Sequence, residues 1–333
     1  GMGFSWKMAL TAIFIEGILF ILLTVTNVRK LIVDAIPMNL KRAIGAGIGL
    51  YIAFIGLKSA GIIVSSEATS VTLGNLGDKT VILALAGLVI TSVLVITKVR
   101  GGMLLGIIAT TLIGIPMGVT HYGGIVSTPP SISEIFCQFE WGRIFSWDML
   151  VVVFTFLFID MFDTIGTVVG VSVKSGMVDE KGNVDGINRV LMADSVATVA
   201  GAMFGTSTTT TYIESASGVS EGGRTGLTSF VIALCFAVAL FFSPIFLAIP
   251  GAATGPVLFI VGVMMMSPVK DIDWGDYSES IPAFVTMLLM PLAYSISDGI
   301  MLGMISFVLL NAISGKFRKI SVMMWILALL FIL

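Results

Sequence analysis

The feature that most constrains this chain is a series of apolar stretches, each about 20 residues long, that recurs along its whole length. A hydrocarbon layer roughly 30 Å thick needs about 20 helical residues for each crossing. Of the 333 residues, 56% are hydrophobic and 11% are charged, whereas an average soluble domain is about 25% charged. The weak two-residue alternation of a membrane β-barrel is absent. The sequence therefore predicts an all-α polytopic membrane protein and excludes a water-soluble fold.

Breaks between the apolar stretches divide the chain into predicted membrane helices. A final apolar piece, 321–333, is too short to cross a bilayer at about 1.5 Å per residue and is predicted to be a terminal or interfacial segment. Residues 120–147 are predicted to form a long outer loop. Eleven helices are expected, at residues 6–26, 44–65, 80–97, 102–119, 148–172, 188–204, 212–222, 226–248, 254–268, 281–294 and 297–315.

The positions of the basic residues give an independent check on this count. Short cytoplasmic loops retain Lys and Arg preferentially. Of the eighteen basic residues, fourteen fall in every second predicted loop, three lie in the opposite loops or at a helix end, and Lys58 lies inside a helix. This alternation supports eleven crossings of the inner (plasma) membrane of the cell.

Composition also excludes several classes of function. The formal net charge is -2 and no basic run is long enough to follow a phosphate backbone, so no nucleic-acid partner is expected. Cys137 and Cys235 are far apart in the sequence and His121 is the single histidine, so neither a disulfide framework nor a metal site is indicated. The first residues lack a signal-peptide pattern and lead almost at once into a membrane segment, which suggests an internal point of a longer protein.

The segment at 155–171, TFLFIDMFDTIGTVVGV, places two carboxylates in an otherwise apolar helix. At about 100° per residue, one polar arc of about 100° is shared by Asp160, Asp163, Thr164 and Thr167. Each ionised carboxylate at mid-membrane costs about 2.5–3.5 kcal/mol on insertion scales. Two interpretations are open: a buried polar network that joins helices, or a site in a water-accessible cavity whose carboxylates take up protons.

A second unusual segment, at 205–213, reads GTSTTTTYI. Threonine loses rotamer freedom in a helix and favours extended structure, so a short strand is predicted here. Irregular backbone at membrane depth is tolerated only where protein surrounds it or where it lines a cavity. The following residues, 214–222, are predicted to form a half-helix that begins near the bilayer midplane with Glu214, as in secondary transporters.

Other polar residues in the apolar segments have simpler explanations. Glu16 and Asp194 are interpreted as structural partners of neighbouring helices, with a direct role left open. Asp298 is expected at a helix start, where capping accounts for it.

Several long motifs resemble one known family. They are AIGAGIGLYIAFIGLKSAGIIV at 43–64, FDTIGTVVGV at 162–171, FGTSTTTTYIESASGVSEGGRTGLTS at 204–229 and IPAFVTMLLMPLAYSISDGI at 281–300. These motifs are similar to the AzgA-like branch of the nucleobase:cation symporter-2 (xanthine/uracil permease) family, which comprises hypoxanthine, guanine and adenine permeases. The resemblance runs over essentially the whole chain.

The resemblance implies fourteen transmembrane segments in two inverted repeats of seven, divided into a core domain that binds substrate and a gate domain. This chain would carry the fourth to fourteenth segments, and the segments that form the other wall of the substrate site would precede Gly1. The implied parts are a first-half core segment with a cytoplasmic loop at 1–43, the gate at 44–119 and 249–315, the outer loop at 120–147, the second half of the core with the substrate site at 148–248, and a C-terminal hydrophobic segment at 316–333.

The resemblance also implies the residues of the site. The carboxylates of Asp163 and Glu214 would contact the purine, since a carboxylate accepts N–H bonds from a purine edge. The polar groups that would support these contacts are Thr167, Thr211 and Ser215. The candidates for proton coupling are Asp160, Asp163 and Glu214. No cofactor and no metal ligand are expected, and a proton is the expected coupling ion, although the residues alone leave sodium open.

The predicted function is the import of purine nucleobases by proton symport with alternating access. A carrier of another nucleobase or of an anion with the same fold stays open, although no Lys or Arg lies in 150–172 or 205–222 to attract an anion. A further alternative is a membrane-embedded aspartyl hydrolase that uses Asp160 and Asp163. The expected partners are a purine nucleobase and the lipid bilayer, with a homodimer as an open option.

Overall fold

The structure, a computed structural model, describes residues 5–129, 131–142, 144, 146–179, 183–212 and 214–332. Within these residues the fold is mostly helical, with one two-stranded hairpin. The strands are β1, Ile63–Ser66, and β2, Ser70–Leu73. The helices are α1, Trp6–Val25; α2, Val28–Ala35; α3, Met38–Ser59; α4, Lys79–Ile96; α5, Gly102–Met117; α6, Trp147–Ser175; α7, Ile187–Met203; α8, Ser215–Ser220; α9, Gly226–Ala239; α10, Ser243–Leu247; α11, Gly251–Met265; α12, Tyr277–Ala293; α13, Ile296–Ile313; and α14, Val322–Ile332.

Each of the eleven predicted ranges contains a helix. Among the described residues, six helices are long and apolar enough to cross a membrane by length and composition, and they are Trp6–Val25, Met38–Ser59, Lys79–Ile96, Met149–Val173, Gly251–Asp271 and Ile296–Ile313. Shorter apolar helices are α5, α9 and α14. The polytopic helical architecture predicted from the apolar pattern is therefore confirmed.

Polar caps and a glycine set the ends of two of the longest helices. The hydroxyl of Ser5 accepts the N–H of Met8 at the start of α1. Ser146 accepts the N–H of Met149 in the same way at the start of α6. Helix α6 ends at Gly176, whose φ of 71° is the left-handed conformation that glycine adopts without strain. With 29 residues, α6 is about 43 Å long, more than one membrane crossing needs.

The largest change of boundary concerns the helix predicted at 44–65. In the structure this helix is α3, which begins six residues earlier and ends at Ser59. The chain then forms an antiparallel hairpin in which Ile63 pairs with Leu73. Ser70 takes a left-handed φ of 63° at the turn. The apolar residues of β1 continue the hydrophobic run of the helix, so the sequence pattern alone did not separate them.

Proline accounts for two further differences. Residues 28–35, predicted as a loop, form α2, which stops before Pro37 because proline disfavours the helical conformation of the residue ahead of it. The helix predicted at 226–248 is divided into α9 and α10, and Pro244 lies in the first turn of α10. Proline has no N–H for an intrahelical bond, so it is favoured in the first turn of a helix, where that N–H would lack a partner in any case.

The strand predicted at 205–213 is absent from the described residues 205–212, which are irregular. A strand needs a hydrogen-bonded neighbour, and the one sheet among the described residues is the β1–β2 hairpin. The segment is instead tied to α7, where the Thr198 hydroxyl donates to the carbonyl oxygen of Thr209 at 3.0 Å. The six residues of α8 fall within the predicted half-helix.

The residues divide into two compact units. The first comprises Gly1–Ile48, Ser131–Ser215 and Met266–Leu333. In it, α1 packs against α6 and α7, and α13 packs against α6, α12 and α14. A Cβ atom at Gly17 would lie 2.7 Å from a methyl carbon of Val199, so glycine permits the close approach of α1 and α7. Side chains that are fully buried in this unit are Phe20, Phe162, Ile165, Leu191 and Phe307.

The second unit comprises Gly49–Pro130 and Ala216–Met265. Its helices α4, α5 and α11 pack on one another. A Cβ atom at Gly87 would lie 2.8 Å from the hydroxyl of Thr110, which shows how closely α4 and α5 approach. Small residues at helix contacts are typical of membrane proteins. Helix α9 buries none of its side chains, as suits an apolar helix that faces lipid.

The end of the predicted outer loop folds back onto α1. Phe139 and Trp141 pack around Phe14, with ring centroids 4.7 and 6.2 Å from it. The backbone N–H of Glu140 donates to the hydroxyl of Thr11 at 2.8 Å. This part of the loop is therefore held by aromatic packing and hydrogen bonding within the first unit.

Candidate functional site

Helix α6 carries Asp160 and Asp163 three residues apart. Asp160 is 6% exposed and Asp163 is half-buried. Thr164 and Thr167, on the same arc, are buried. The polar arc predicted from the sequence therefore faces protein.

Asp163 lies against the start of α13. Its Oδ1 atom accepts the backbone N–H of Ser297 at 3.1 Å. Ser295 caps the same helix, since its hydroxyl accepts the N–H of Asp298 at 3.2 Å. Asp298, predicted as the cap, is instead the third residue of the helix. The first N–H groups of a helix lack an intrahelical acceptor, so Asp163 satisfies one of them from α6.

Arg29 of α2 is fully buried and is bound by α7. Its Nη2 atom pairs with Oδ2 of Asp194 at 3.1 Å, and the two side chains are 0% and 2% exposed. Nη1 donates to the hydroxyl of Ser195 at 2.9 Å and to the carbonyl oxygen of Leu191 at 3.2 Å. The guanidinium lies over the ring of Phe20, 4.3 Å from its centroid. A planar group with several donors is suited to such a buried site.

Asp194 connects this pair to the rest of the site. Its Oδ1 atom accepts the hydroxyl of Thr164 on α6 at 3.4 Å. The backbone N–H of Thr211 lies near Asp194, and both residues line one groove. One carboxylate therefore connects α2, α6 and α7 and lies beside the threonine-rich segment.

Two further carboxylates lie in the same region. Glu16 of α1 is 0% exposed, and neither of its oxygens has a hydrogen-bond partner within 3.5 Å among the described residues, although the Thr208 hydroxyl is near enough to influence it. Oδ2 of Asp160 likewise has no such partner in the described part of the chain. We call Glu16, Arg29, Asp160 and Asp194 the buried charged cluster. It holds three carboxylates and one guanidinium.

An open groove of about 490 Å³ runs along α7. It is lined by Ala193, Asp194 and Ala197 of α7 and by Thr209, Thr210 and Thr211. The threonine-rich segment and one edge of the buried charged cluster therefore border the same groove.

Comparison with known proteins assigns the chain to a family. Residues 2–328 match Xan_ur_permease, described as a permease family. The chain belongs to the xanthine/uracil permease family.

Relatives of known or inferred permease type match nearly all of this chain, which spans about three quarters of their length. A putative permease of Methanocaldococcus jannaschii is 48% identical over 330 residues, which cover 99% of this chain and 76% of the relative. The adenine permease AdeP of Escherichia coli is 41% identical over 332 residues, covering 100% of this chain and 75% of the relative. The guanine/hypoxanthine permease PbuO of Bacillus subtilis is 44% identical over 337 residues, covering 99% and 77%.

Solved structures share the fold of the permease. The transmembrane domain of the cyanobacterial bicarbonate transporter BicA superposes with a TM-score of 0.57 at 17% identity, covering 90% of this chain and 76% of that domain. SLC26A9 superposes with a TM-score of 0.53 at 14% identity, covering 93% and 51%. The permease therefore has the inverted-repeat transporter fold and is a multi-pass membrane protein. Its family is one of transporters, which excludes the aspartyl hydrolase considered from the sequence.

The predicted site residues of the permease have different settings. Asp163 is half-buried on α6, with Thr167 buried one turn further on. Glu214 and Ser215 are exposed at the start of α8, and Thr211 is half-buried in the threonine-rich segment. The structure thus brings Asp160 and Thr211 to the buried charged cluster and places Asp163 against α13. Their roles as substrate or proton contacts stay predictions.

Sequence reasoning missed the position of Arg29. The charge pattern predicts a cytoplasmic loop at this position, but the side chain of Arg29 is buried with Ile32 and Val33 on one face of α2. The spacing of these three residues at i, i+3 and i+4 is the one local signal that could have indicated a packed helix. Glu16 and Asp194, interpreted as structural partners, do lie between helices.

Within the described ranges, no group of three or more His, Cys, Asp or Glu side chains is arranged to hold a metal ion. Cys137 and Cys235 are exposed free thiols.

Proposed function

We propose that this permease imports purine nucleobases by proton symport. The observation that carries the proposal is the 41% and 44% identity, over at least 99% of this chain, to relatives named as adenine and guanine/hypoxanthine permeases. Similarity to a bicarbonate transporter at 17% identity concerns the fold and says nothing about substrate. A purine is therefore favoured over another nucleobase or an anion.

Asp163 is the proposed first contact with the purine. An ionised carboxylate offers about four acceptor positions on its two oxygens. The N–H of Ser297 uses one of them, so the same group can still accept N–H bonds from the edge of a purine. Thr167, one turn further along α6, is proposed to hold this part of the helix in place.

Glu214 is the proposed second contact. It lies at the start of α8, after a segment whose irregular backbone is of the kind that lines cavities in membrane proteins. A second carboxylate supplies acceptors for further N–H groups of the base. Thr211 and Ser215, on either side in the sequence, are proposed as supporting polar groups.

Alternating access is the proposed mode of transport. The core, at 1–43 and 148–248, would move against the gate, at 44–119 and 249–315, as one rigid body against another. A ligand shifts such an equilibrium only by its differential affinity for the two states. Coupling therefore requires that purine and proton together favour the inward transition more than either does alone.

Uptake of radiolabelled adenine, guanine and hypoxanthine into cells that lack their own purine permeases tests this proposal. Expression of the protein is expected to give uptake of at least one base that a protonophore abolishes and that unlabelled purine suppresses. Removal of sodium should leave the uptake unchanged. Uptake of uracil in place of every purine, or uptake that needs sodium, would contradict the substrate or the coupling ion respectively.

Two substitutions test the site. Asp163→Asn and Glu214→Gln keep the size of each side chain but remove its charge, and each is expected to abolish purine uptake at normal protein abundance in the membrane. Glu221→Gln is the matched control, because Glu221 is also exposed, seven residues beyond Glu214. Normal uptake by either of the first two variants would remove that residue from the site.

A further inference from the structure

We propose that Glu16 and Asp160 form the site that holds the coupling proton of this permease. The inference rests on the proposed proton symport. It deepens that proposal by assigning the proton to two side chains distinct from the purine contacts, Asp163 and Glu214.

The buried charged cluster has an excess of negative groups. Its one cation, Arg29, is bonded to Asp194, Ser195 and a backbone carbonyl. Among the described residues no cation is bonded to Glu16 or Asp160, although both are buried. A buried ionised carboxylate without bonded donors is costly, because it has lost the solvation of water. A proton on either group removes one charge and supplies an O–H donor.

The groups around these carboxylates come from every helix that packs on α1. Helix α2 contributes Arg29 and α7 contributes Asp194. Helix α6 contributes Asp160 itself, with Asp163 three residues further on, and the segment after α7 contributes the hydroxyl of Thr208. These groups comprise one cation and four acids. Such surroundings favour a site that exchanges a proton over a fixed set of ion pairs.

Two connections link this site to the proposed purine contacts. Asp160 and Asp163 lie one turn apart on α6, so a shift of that helix moves both. Asp194, in the same cluster, lines one groove with Thr211, three residues before Glu214. The proton site is therefore connected to Asp163 through one rigid helix, and it adjoins the segment that leads to Glu214.

The proton step itself is an exchange without other chemistry. A carboxylate oxygen of Glu16 or Asp160 takes a proton from water on the outer side and becomes a neutral acid. After the conformational change the same O–H bond breaks and the proton passes to water on the inner side.

Two modes of transport in liposomes separate coupling from binding. The purified full chain is reconstituted, and the accumulation of adenine, guanine or hypoxanthine under an inward proton gradient is compared with counterflow, the exchange of labelled for unlabelled purine without a gradient. Glu16→Gln and Asp160→Asn imitate protonated acids. For both, accumulation is expected to fall to about one-to-one with the outside, since an uncoupled carrier only equilibrates its substrate. Counterflow should continue.

The controls distinguish a proton site from a structural one. Glu67→Gln changes an exposed glutamate near the turn of the β1–β2 hairpin and should leave both modes unchanged. Glu16→Asp keeps a titratable group and should retain part of the accumulation. Equal loss of both modes in folded Glu16→Gln and Asp160→Asn, or normal accumulation in both, overturns the proton site. Absence of purine transport by the wild type would instead contradict the proposed function.

Infrared spectroscopy gives a readout that needs no transport, and its first measurement uses the wild type alone. The folded wild type at neutral pH is expected to show the carbonyl stretch of a protonated carboxyl group, shifted in heavy water. That band should weaken in whichever of Glu16→Gln and Asp160→Asn is folded by size-exclusion chromatography. A wild type without the band, or a band that neither folded variant weakens, overturns the proposal.

Discussion

Two groups of ion pairs in the first unit have nearly the same geometry and opposite surroundings. Arg29 and Asp194 approach to 3.1 Å with side chains 0% and 2% exposed. Near the start of α12, Asp276 is 3.0 Å from Lys316 and 3.1 Å from Lys319, with exposures of 27%, 39% and 43%. Distance alone therefore does not distinguish the two groups, whereas access to water does.

The buried pair is therefore expected to stabilise the packing of helices strongly, and the exposed group only weakly. Removing one partner of a buried pair leaves the other partner as a buried charge without water or counterion. That unpaired charge strongly destabilises the folded protein. Removing one partner of an exposed pair leaves a charge that water solvates, so the loss is small. The same substitution of a cation by a neutral residue should thus have very different effects in the two places.

The largest expected effect is that of Arg29→Met. The change leaves Asp194 as an unpaired buried carboxylate and removes the bonds to Ser195 and Leu191. We expect a loss of about 3–5 kcal/mol in the free energy of unfolding, the range measured for broken buried pairs. The measurement is thermal unfolding of the purified protein, in which size-exclusion chromatography gives the fraction that remains folded after heating.

A double variant and a matched control sharpen this result. Arg29→Met combined with Asp194→Leu removes both charges, so it should recover much of the lost stability. Lys30→Met changes the neighbouring, half-buried cation and should have little effect. A double variant less stable than Arg29→Met alone would mean that the hydrogen bond of Asp194 to Thr164 outweighs the cost of its unpaired charge.

An intermediate effect is expected at Asp163, which is half-buried. Asp163→Ala removes the acceptor of the Ser297 N–H at the start of α13. By analogy with a lost helix cap, the cost should be about 0.5–2 kcal/mol. Asp163→Asn keeps an oxygen acceptor and should retain most of the stability. Thermal unfolding of the two variants checks the difference, and equal unfolding temperatures would show that the bond does not stabilise α13.

The fold was largely predictable because helices that cross a membrane need long apolar runs, and such runs are visible in the sequence. The apolar runs gave eleven ranges, and each contains a helix. The periodicity of α6 placed Asp160 and Asp163 on one arc, and that arc faces protein in the structure. Local patterns suffice for such features, since a helix repeats every 3.6 residues.

The buried charged cluster was not predictable in the same way. Arg29 and Asp194 are 165 residues apart in the chain, and their pairing follows from the packing of α2 on α7. A basic residue after a membrane helix looks the same in sequence whether it faces water or a carboxylate. The threonine-rich segment illustrates a second limit. Its residues prefer an extended backbone, but an extended segment forms a strand only when it pairs with another strand.

The contribution of the exposed ion pairs to stability should fall with added salt, whereas that of the buried pair should not. Lys316→Met removes the bonds to Asp276 and Ser278, and we expect a smaller loss of stability than for Asp163→Ala. The screening length falls from about 10 Å at 0.1 M salt to about 3 Å at 1 M. The difference in unfolding temperature between wild type and Lys316→Met should therefore shrink over this range of sodium chloride. The difference for Arg29→Met should persist, and equal salt dependence in both would erase the distinction between the regions.

The smallest expected effect is the acid dependence of the exposed group. The hydroxyl of Ser278, followed by the ammonium of Lys316, lowers the pKa of Asp276 below its ordinary value. A carboxyl group whose pKa is lowered by folding stabilises the protein above its unfolded value of about 3.9, and that contribution is lost as the pH falls through the lower folded value. The difference in unfolding temperature between wild type and Asp276→Asn should thus be constant from about pH 7 to 5 and narrow below about pH 4. A difference that stays constant or widens with acid would mean that the ionised form of Asp276 is not what stabilises the start of α12.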